Sequence, residues 1–168
     1  MKKGKAKNQS AHLAWLWLSV VVILLDQATK YWAEHILRYD VIEILPIFDL
    51  SLAHNTGSAF GFLGGLGGIQ HYFFVSLAIG VTILFVFWIP KLANHERHLA
   101  IAYSLVIGGA IGNAIDRVVY QYVVDFIHWF YKDWHYPHFN IADIAIFIGA
   151  ALLIAEALEK PFLNTKPS

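Results

Sequence analysis

Four stretches of the chain are almost free of charge and near the ~20 apolar residues that a helix needs to cross a bilayer. Leu13 to Leu25 carries no charge and continues through Asp26 and Lys30 towards Ala33. Tyr72 to Ile89 is uncharged and closed by Pro90, and Leu99 to Ile115 is uncharged but holds Gly108, Gly109, Gly112 and Asn113. Phe139 to Ala155 is apolar apart from Asn140 and Asp143. A helix satisfies its own backbone in lipid, so the pattern predicts spans over about 13–33, 72–89, 99–119 and 139–158. The first stretch follows Lys2, Lys3, Lys5 and Lys7, as a secretion signal would, but no small-residue cleavage site comes after it. It is expected to be a retained helix.

Two segments, about 34–71 and 120–138, separate the paired spans on one side. Val41 to Ala53 is rich in Ile, Leu and Phe, which suits short strands. Six glycines between Gly57 and Gly68 surround Phe60, Phe62 and Leu63, a mixture suited to a piece lying in the membrane interface. No linker or repeat interrupts the chain, which is expected to form one domain over residues 1–168.

Composition narrows the class. Hydrophobic residues make up 58% and charged residues 14%, against about 25% charge in soluble domains. Lys+Arg and Asp+Glu both number 12, leaving no basic field for nucleic acid. Cysteine is absent, which removes disulfides, thiolate metal sites and cysteine nucleophiles. Lys and Arg near the predicted helix ends divide eight to two, with only Arg38 and Lys132 in the two separating segments. The positive-inside rule then puts both termini in the cytoplasm and those two segments outside.

With that orientation, nine polar residues gather at the outer face: Asp26, Lys30, Asn55, Asn113, Asp116, Arg117, Asp125, Asn140 and Asp143. Polar groups at lipid depth are costly and usually line a site or a cavity. Asp26 and Lys30 are four apart, share a helix face and can neutralise each other. Asp116 most simply pairs with a basic group. Gly108 and Gly112 form a small-xxx-small strip that permits close helix approach. Asp125 and Asp143 can meet, because the chain returns to the same bundle within 17 residues. Two carboxylates in a poorly solvated site share a proton, which suits an aspartic protease dyad, a proton or ion relay, or a structural pair. His128, His135 and His138 lie among aromatic residues with no HExxH pattern, so no metal site is expected there.

Five motifs then occur in order: Asp26-Gln27-Ala28-Thr29-Lys30, Asn55-Thr56-Gly57-Ser58-Ala59-Phe60, Gly108 through Arg117, Val124-Asp125-Phe126, and Phe139-Asn140-Ile141-Ala142-Asp143. Together they resemble the bacterial lipoprotein signal peptidases (signal peptidase II) from Asp26 to about Ile154. The resemblance implies a mainly α membrane protein: a four-transmembrane-helix bundle with a small extracytoplasmic β-sheet and an interfacial helix. It implies an aspartic endopeptidase of the bacterial cytoplasmic (inner) membrane, without metal or other cofactor. Such an enzyme removes the signal peptide of diacylglyceryl-modified prolipoproteins before the lipidated cysteine, and globomycin blocks it. Carried over by position, Asp125 and Asp143 would be catalytic. Asn55, Gly109, Asn113, Arg117 and Asn140 would line the substrate and inhibitor groove, and Asp26, Lys30 and Asp116 would support it. The expected partners are prolipoprotein and membrane lipid, and the expected state is a monomer. The rival, a small polytopic proton or ion translocator, predicts polar residues through the full depth of the spans. Here the inner halves are apolar: Leu13 to Leu25 and Ala145 to Ala155 hold no charge.

Overall fold

A computed structural model describes residues 12–57 and 69–159. The four long helices are α1 (Leu16–Ile36), α2 (Ile69–Trp88), α3 (Arg97–Val119) and α4 (Ile141–Glu159). Each covers a predicted span with its ends moved by a few residues. The largest shift is in α1, which starts after residue 13 and continues past Ala33 to Ile36. Its polar last turns stay helical because nothing in them breaks a helix, and Thr29 Oγ1 donates back to Leu25 O at 2.8 Å.

Three of the helices are long and apolar enough to cross a membrane by length and composition: α2 with the turn after it (Ile69–Lys91), α3 and α4. The 21-residue α1 is long enough but carries Asp26, Lys30 and Glu34. On α2 only Gln70 and Ala78 are buried, while Phe73, Leu77, Ile83 and Phe87 are exposed. A helix with apolar side chains on every exposed face is suited to lipid, not water. It ends where Pro90 removes a donor and the chain tightens into a 3₁₀ turn, Ile89–Lys91.

The helix most buried of the four is α3, which packs against each of the other three. Glycines make those approaches possible. A Cβ at Gly108 would sit 2.7 Å from Val22 Cβ, and one at Gly112 would sit 2.6 Å from Asp26 Oδ2, so both open α3 to α1. At Gly149 a Cβ would come within 2.7 Å of Ala102 O, which brings α4 onto α3.

A four-stranded antiparallel sheet stands at one end of the bundle. Its strands β1 (Ile42–Leu45), β2 (Phe48–Asn55), β3 (Val123–Tyr131) and β4 (Trp134–His135) lie in the order β1-β2-β3-β4. The first two fall where strands were expected; β3 falls in what reads as an outer loop. Gln121, with φ of 64°, turns the chain from the end of α3 into β3. Register pairs Ala53 with Asp125 and Asn55 with Val123, with an irregularity between Leu50 and Ala53. A small core of Ala33, Leu37, Val124 and Phe126 seats the sheet on the end of α1. The expected interfacial piece around Phe60 and Phe62 lies outside the described residues, as do the terminal lysines that set the expected orientation.

Candidate active site

Two features of local structure bring the carboxylates together. Asp125 is fixed by the pairing of β3 with β2, and Asn55 at the end of β2 donates from Nδ2 to Asp125 Oδ2 at 3.0 Å. Asp143 is fixed by the start of α4, where Asn140 and Asp143 cap the helix reciprocally. The Asp143 N–H donates to Asn140 Oδ1 at 3.0 Å, and the Asn140 N–H donates to Asp143 Oδ2 at 3.2 Å. This is a capping box, with Asp143 at the positive end of the helix dipole.

Asn140 is wholly buried and joins the two halves. Its Nδ2 donates to Asp125 Oδ1 at 2.6 Å and contacts Asn113 Oδ1 at 3.1 Å. Asn113 Nδ2 in turn donates to Asp143 Oδ1 at 2.7 Å. Both carboxylates therefore belong to one hydrogen-bonded set of three asparagines. Burial pushes the Asp125 carboxyl up to about 7, and the charge on Asp143 adds to that push. The hydrogen bonds from Asn55 and Asn140 and the charge of Lys30 oppose it but do not win.

Behind this set lies a buried ionic cluster. Lys30 Nζ is 2.8 Å from Asp26 Oδ2 and 2.9 Å from Asp116 Oδ2, and donates to Asn113 Oδ1 at 2.9 Å. One cation faces two carboxylates, so fixed dipoles must hold the remaining negative charge. They are present. The Ala142 N–H donates to Asp26 Oδ1 at 2.9 Å, and the Val124 N–H donates to Asp116 Oδ2 at 3.1 Å. Gln27 Nε2 donates to Asp116 Oδ1 at 2.9 Å. The cluster thus ties α1 to the residues next to Asp125 and Asp143, and through Asn113 it orients the carboxylate set itself. Gln27 escaped the sequence reading, although it lies inside the first motif.

Arg117 sits on the same face of α3 as Asn113, and its Nη1 donates to Asn113 O at 3.1 Å. The guanidinium lies 4.7 Å from the Phe74 ring centroid, a cation–π distance. Among the described residues its Nε is buried without a hydrogen-bond partner. Gly109 is buried, and a Cβ there would overlap Ala142 O of α4, so the glycine lets these two helices touch beside the carboxylate set.

A second group of polar side chains lies on the sheet. His128 Nδ1 is 3.1 Å from Asp49 Oδ1, and His138 Nε2 is 2.9 Å from Ser51 Oγ. Asp49 is 79 residues from His128 in the chain, a pairing the histidine spacing alone does not reveal.

Apolar helices, a small sheet at one end and two carboxylates joined through Asn113 and Asn140 where sheet and bundle meet define an integral membrane protein with a polar site at one end of its helices. Known proteins make the assignment narrower. A family model described as signal peptidase (SPase) II matches residues 18–159. A lipoprotein signal peptidase of Acinetobacter baumannii is 49% identical over 162 residues, covering 95% of this chain and 92% of the relative. One from Coxiella burnetii is 46% identical over 154 residues, covering 91% and 93%. A bacterial membrane enzyme solved by the in meso method at 2.3 Å resolution superposes with a TM-score of 0.77 at 33% identity, covering 92% of this chain and 93% of that one. The chain belongs to the signal peptidase II family.

Proposed function

We propose that this protein is a membrane aspartic endopeptidase that removes the signal peptide from diacylglyceryl-modified prolipoproteins, immediately before the lipidated cysteine. One observation carries the reading: Asp125 from a strand and Asp143 from a helix both accept from buried Asn140, the first from its side-chain amide and the second from its backbone N–H. Family membership and the name its relatives carry supply the substrate class.

In this mechanism Asp125 holds the shared proton and Asp143 is the charged member. Asp143 takes a proton from water as the water oxygen bonds to the scissile carbonyl carbon, and Asp125 donates its proton to the carbonyl oxygen. The tetrahedral intermediate collapses when Asp143 returns its proton to the leaving nitrogen and Asp125 takes one back from the diol. The products are a carboxyl group on the signal peptide and a free amine on the lipidated cysteine. Asn55, Asn113 and Asn140 hold the two carboxylates in line, and Arg117, bonded through Nη1 to Asn113 O, brings a fixed cation to substrate beside them.

The position suits the substrate. We take α1 as a fourth span, with both termini in the cytoplasm and the sheet outside the bacterial inner membrane. Two acyl chains then hold the scissile bond at the depth of the dyad, which raises local concentration and limits orientation. A peptide must be extended to be cut, because a helix hides its carbonyls in internal hydrogen bonds. The translocator alternative draws no support from the family assignment.

Cleavage of a diacylglyceryl-modified prolipoprotein by the purified protein tests the reading directly. Cleavage that needs the lipid and stops with globomycin is expected; equal cleavage of an unmodified precursor, or none, would overturn it.

Two further outcomes follow. Turnover should fall as pH rises through about 7, because Asp125 then loses the proton it must donate. A rate that keeps climbing to pH 9 would contradict the assignment of Asp125 as the acid. Orientation can be read with single thiols, since the chain has no native cysteine. A cysteine at exposed Asn94 should be protected from an impermeant reagent in intact cells, and one at exposed Asp133 should react. The reverse labelling would invert the protein.

A further inference from the structure

The polar group on the sheet has no part in the proteolytic scheme. Asp49 on β2, His128 on β3 and His138 in the segment entering α4 each offer one ligating atom, and these atoms lie within 4.8 Å of one another. We infer that Asp49, His128 and His138 form a zinc-type divalent metal site that ties together the three segments carrying the carboxylate set. The inference is independent of how that set is used.

The donor chemistry fits. Two imidazoles and a carboxylate are a ligand set that zinc takes, leaving a fourth position for water or another side chain. At zinc–ligand distances of about 2.0–2.2 Å, tetrahedral ligand atoms lie roughly 3.3 Å apart. His128 Nδ1 is already 3.1 and 3.2 Å from the two oxygens of Asp49. A metal ion can replace the proton between them with little movement of either side chain.

The surroundings fit as well. A ligating histidine usually donates its other ring N–H to a neighbour, which fixes the tautomer. His128 Nε2 lies 3.0 Å from His135 Nδ1, so a proton on Nε2 would leave the Nδ1 lone pair facing Asp49. Ser51 Oγ donates to Asp49 Oδ1 at 2.7 Å and reaches His138 Nε2 at 2.9 Å, orienting both from one hydroxyl. The rings of His128 and His138 lie parallel, 4.2 Å apart with 3° between their planes, so the half-buried His138 must turn for its lone pair to reach an ion held by Asp49 and His128. Asp49 and His128 are buried and His138 is half-buried, which leaves an entry path beside His138.

The consequence lies in the connectivity. Asp49 is six residues before Asn55, His128 three after Asp125 and His138 five before Asp143. One ion would cross-link β2, β3 and the approach to α4 close to where each contributes to the site. Its role is to hold the scaffold, not to activate the attacking water.

The test uses the full chain in detergent, purified through a tag without histidine, stripped with EDTA and titrated calorimetrically with zinc. One zinc per chain is expected, with a higher unfolding temperature when loaded. His138→Gln and Asp49→Asn should each weaken binding by at least about tenfold, as loss of a metal ligand or its support does. His98→Gln should leave binding unchanged, since His98 pairs with Glu156 elsewhere. Should the site variants fail to fold, X-ray absorption on the zinc-loaded parent gives the answer: two imidazoles are expected in its shell. No saturable zinc, equal affinity in both site variants, or fewer than two imidazoles would overturn the proposal.

Discussion

Asp125→Asn and Asp143→Asn are each expected to lower turnover of a lipid-modified prolipoprotein by at least about 100-fold, while leaving a folded protein. In a pair that shares one proton, each member alternates between acid and base, and an amide can do neither. Asparagine nearly preserves shape: at position 143 it keeps an oxygen for Asn113 Nδ2, and at 125 it keeps one for Asn55 or Asn140. Stability separates lost chemistry from lost structure. Because the folded pKa of Asp125 is raised, the folded state holds that proton more tightly than the unfolded chain does. The associated stability is present in full below the unfolded value of 3.8 and is lost as pH rises through about 7. Asp125→Asn abolishes this dependence, so its stability relative to the parent should improve between pH 5 and pH 8. An inactive variant with that profile supports the dyad. A variant with near-normal turnover removes Asp125 from the mechanism.

Lys30→Met should be the most destabilising single change in the described part of the molecule, costing on the order of 3–5 kcal/mol. The ammonium group is buried with Asp26 and Asp116, whose side chains are 0% and 1% exposed. Methionine fills most of the volume, so packing is not what is lost. Two carboxylates are left without their cation, and Asn113 loses one of the two donors on its Oδ1. Breaking a buried pair from one side costs more than the pair contributes, because the desolvation of the remaining charge is no longer offset. The triple variant Lys30→Met, Asp26→Asn, Asp116→Asn should therefore recover much of the loss. Denaturation in detergent measures both. If Lys30→Met unfolds with the parent, the cluster is not the structural tie described here.

The apolar runs made the helices legible, since burial in lipid leaves few alternatives to an uncharged stretch of that length. The carboxylate pair was legible for the opposite reason: Asp125 and Asp143 stand where apolar residues are the rule. What resisted reading was pairing across long separations. Nothing local connects Lys30 to Asp116 or Asp49 to His128. Strand β3 was also missed, although Val123 to Tyr131 is rich in β-branched and aromatic residues. Those same aromatics also suit a membrane interface, so composition alone does not single out the strand. Gly109 shows a related ambiguity, for a glycine beside a site can admit a ligand or a helix, and its contact with α4 was not legible from the spacing.

With α1 taken as a fourth span, as proposed, the pairing of Lys30 with both Asp26 and Asp116 also bears on how the helices assemble. Entering alone, an aspartate or a lysine costs a helix about 2.5–3.5 kcal/mol at the bilayer centre. One turn apart on α1, Asp26 and Lys30 can enter as a locally neutral pair before any later segment exists. Asp116 has no such companion on its own helix except Arg117 beside it, and its cation waits on α1. The third helix therefore arrives at a site that already holds its counter-charge. In that arrangement α1 is a template, and its buried charges are what α3 assembles upon.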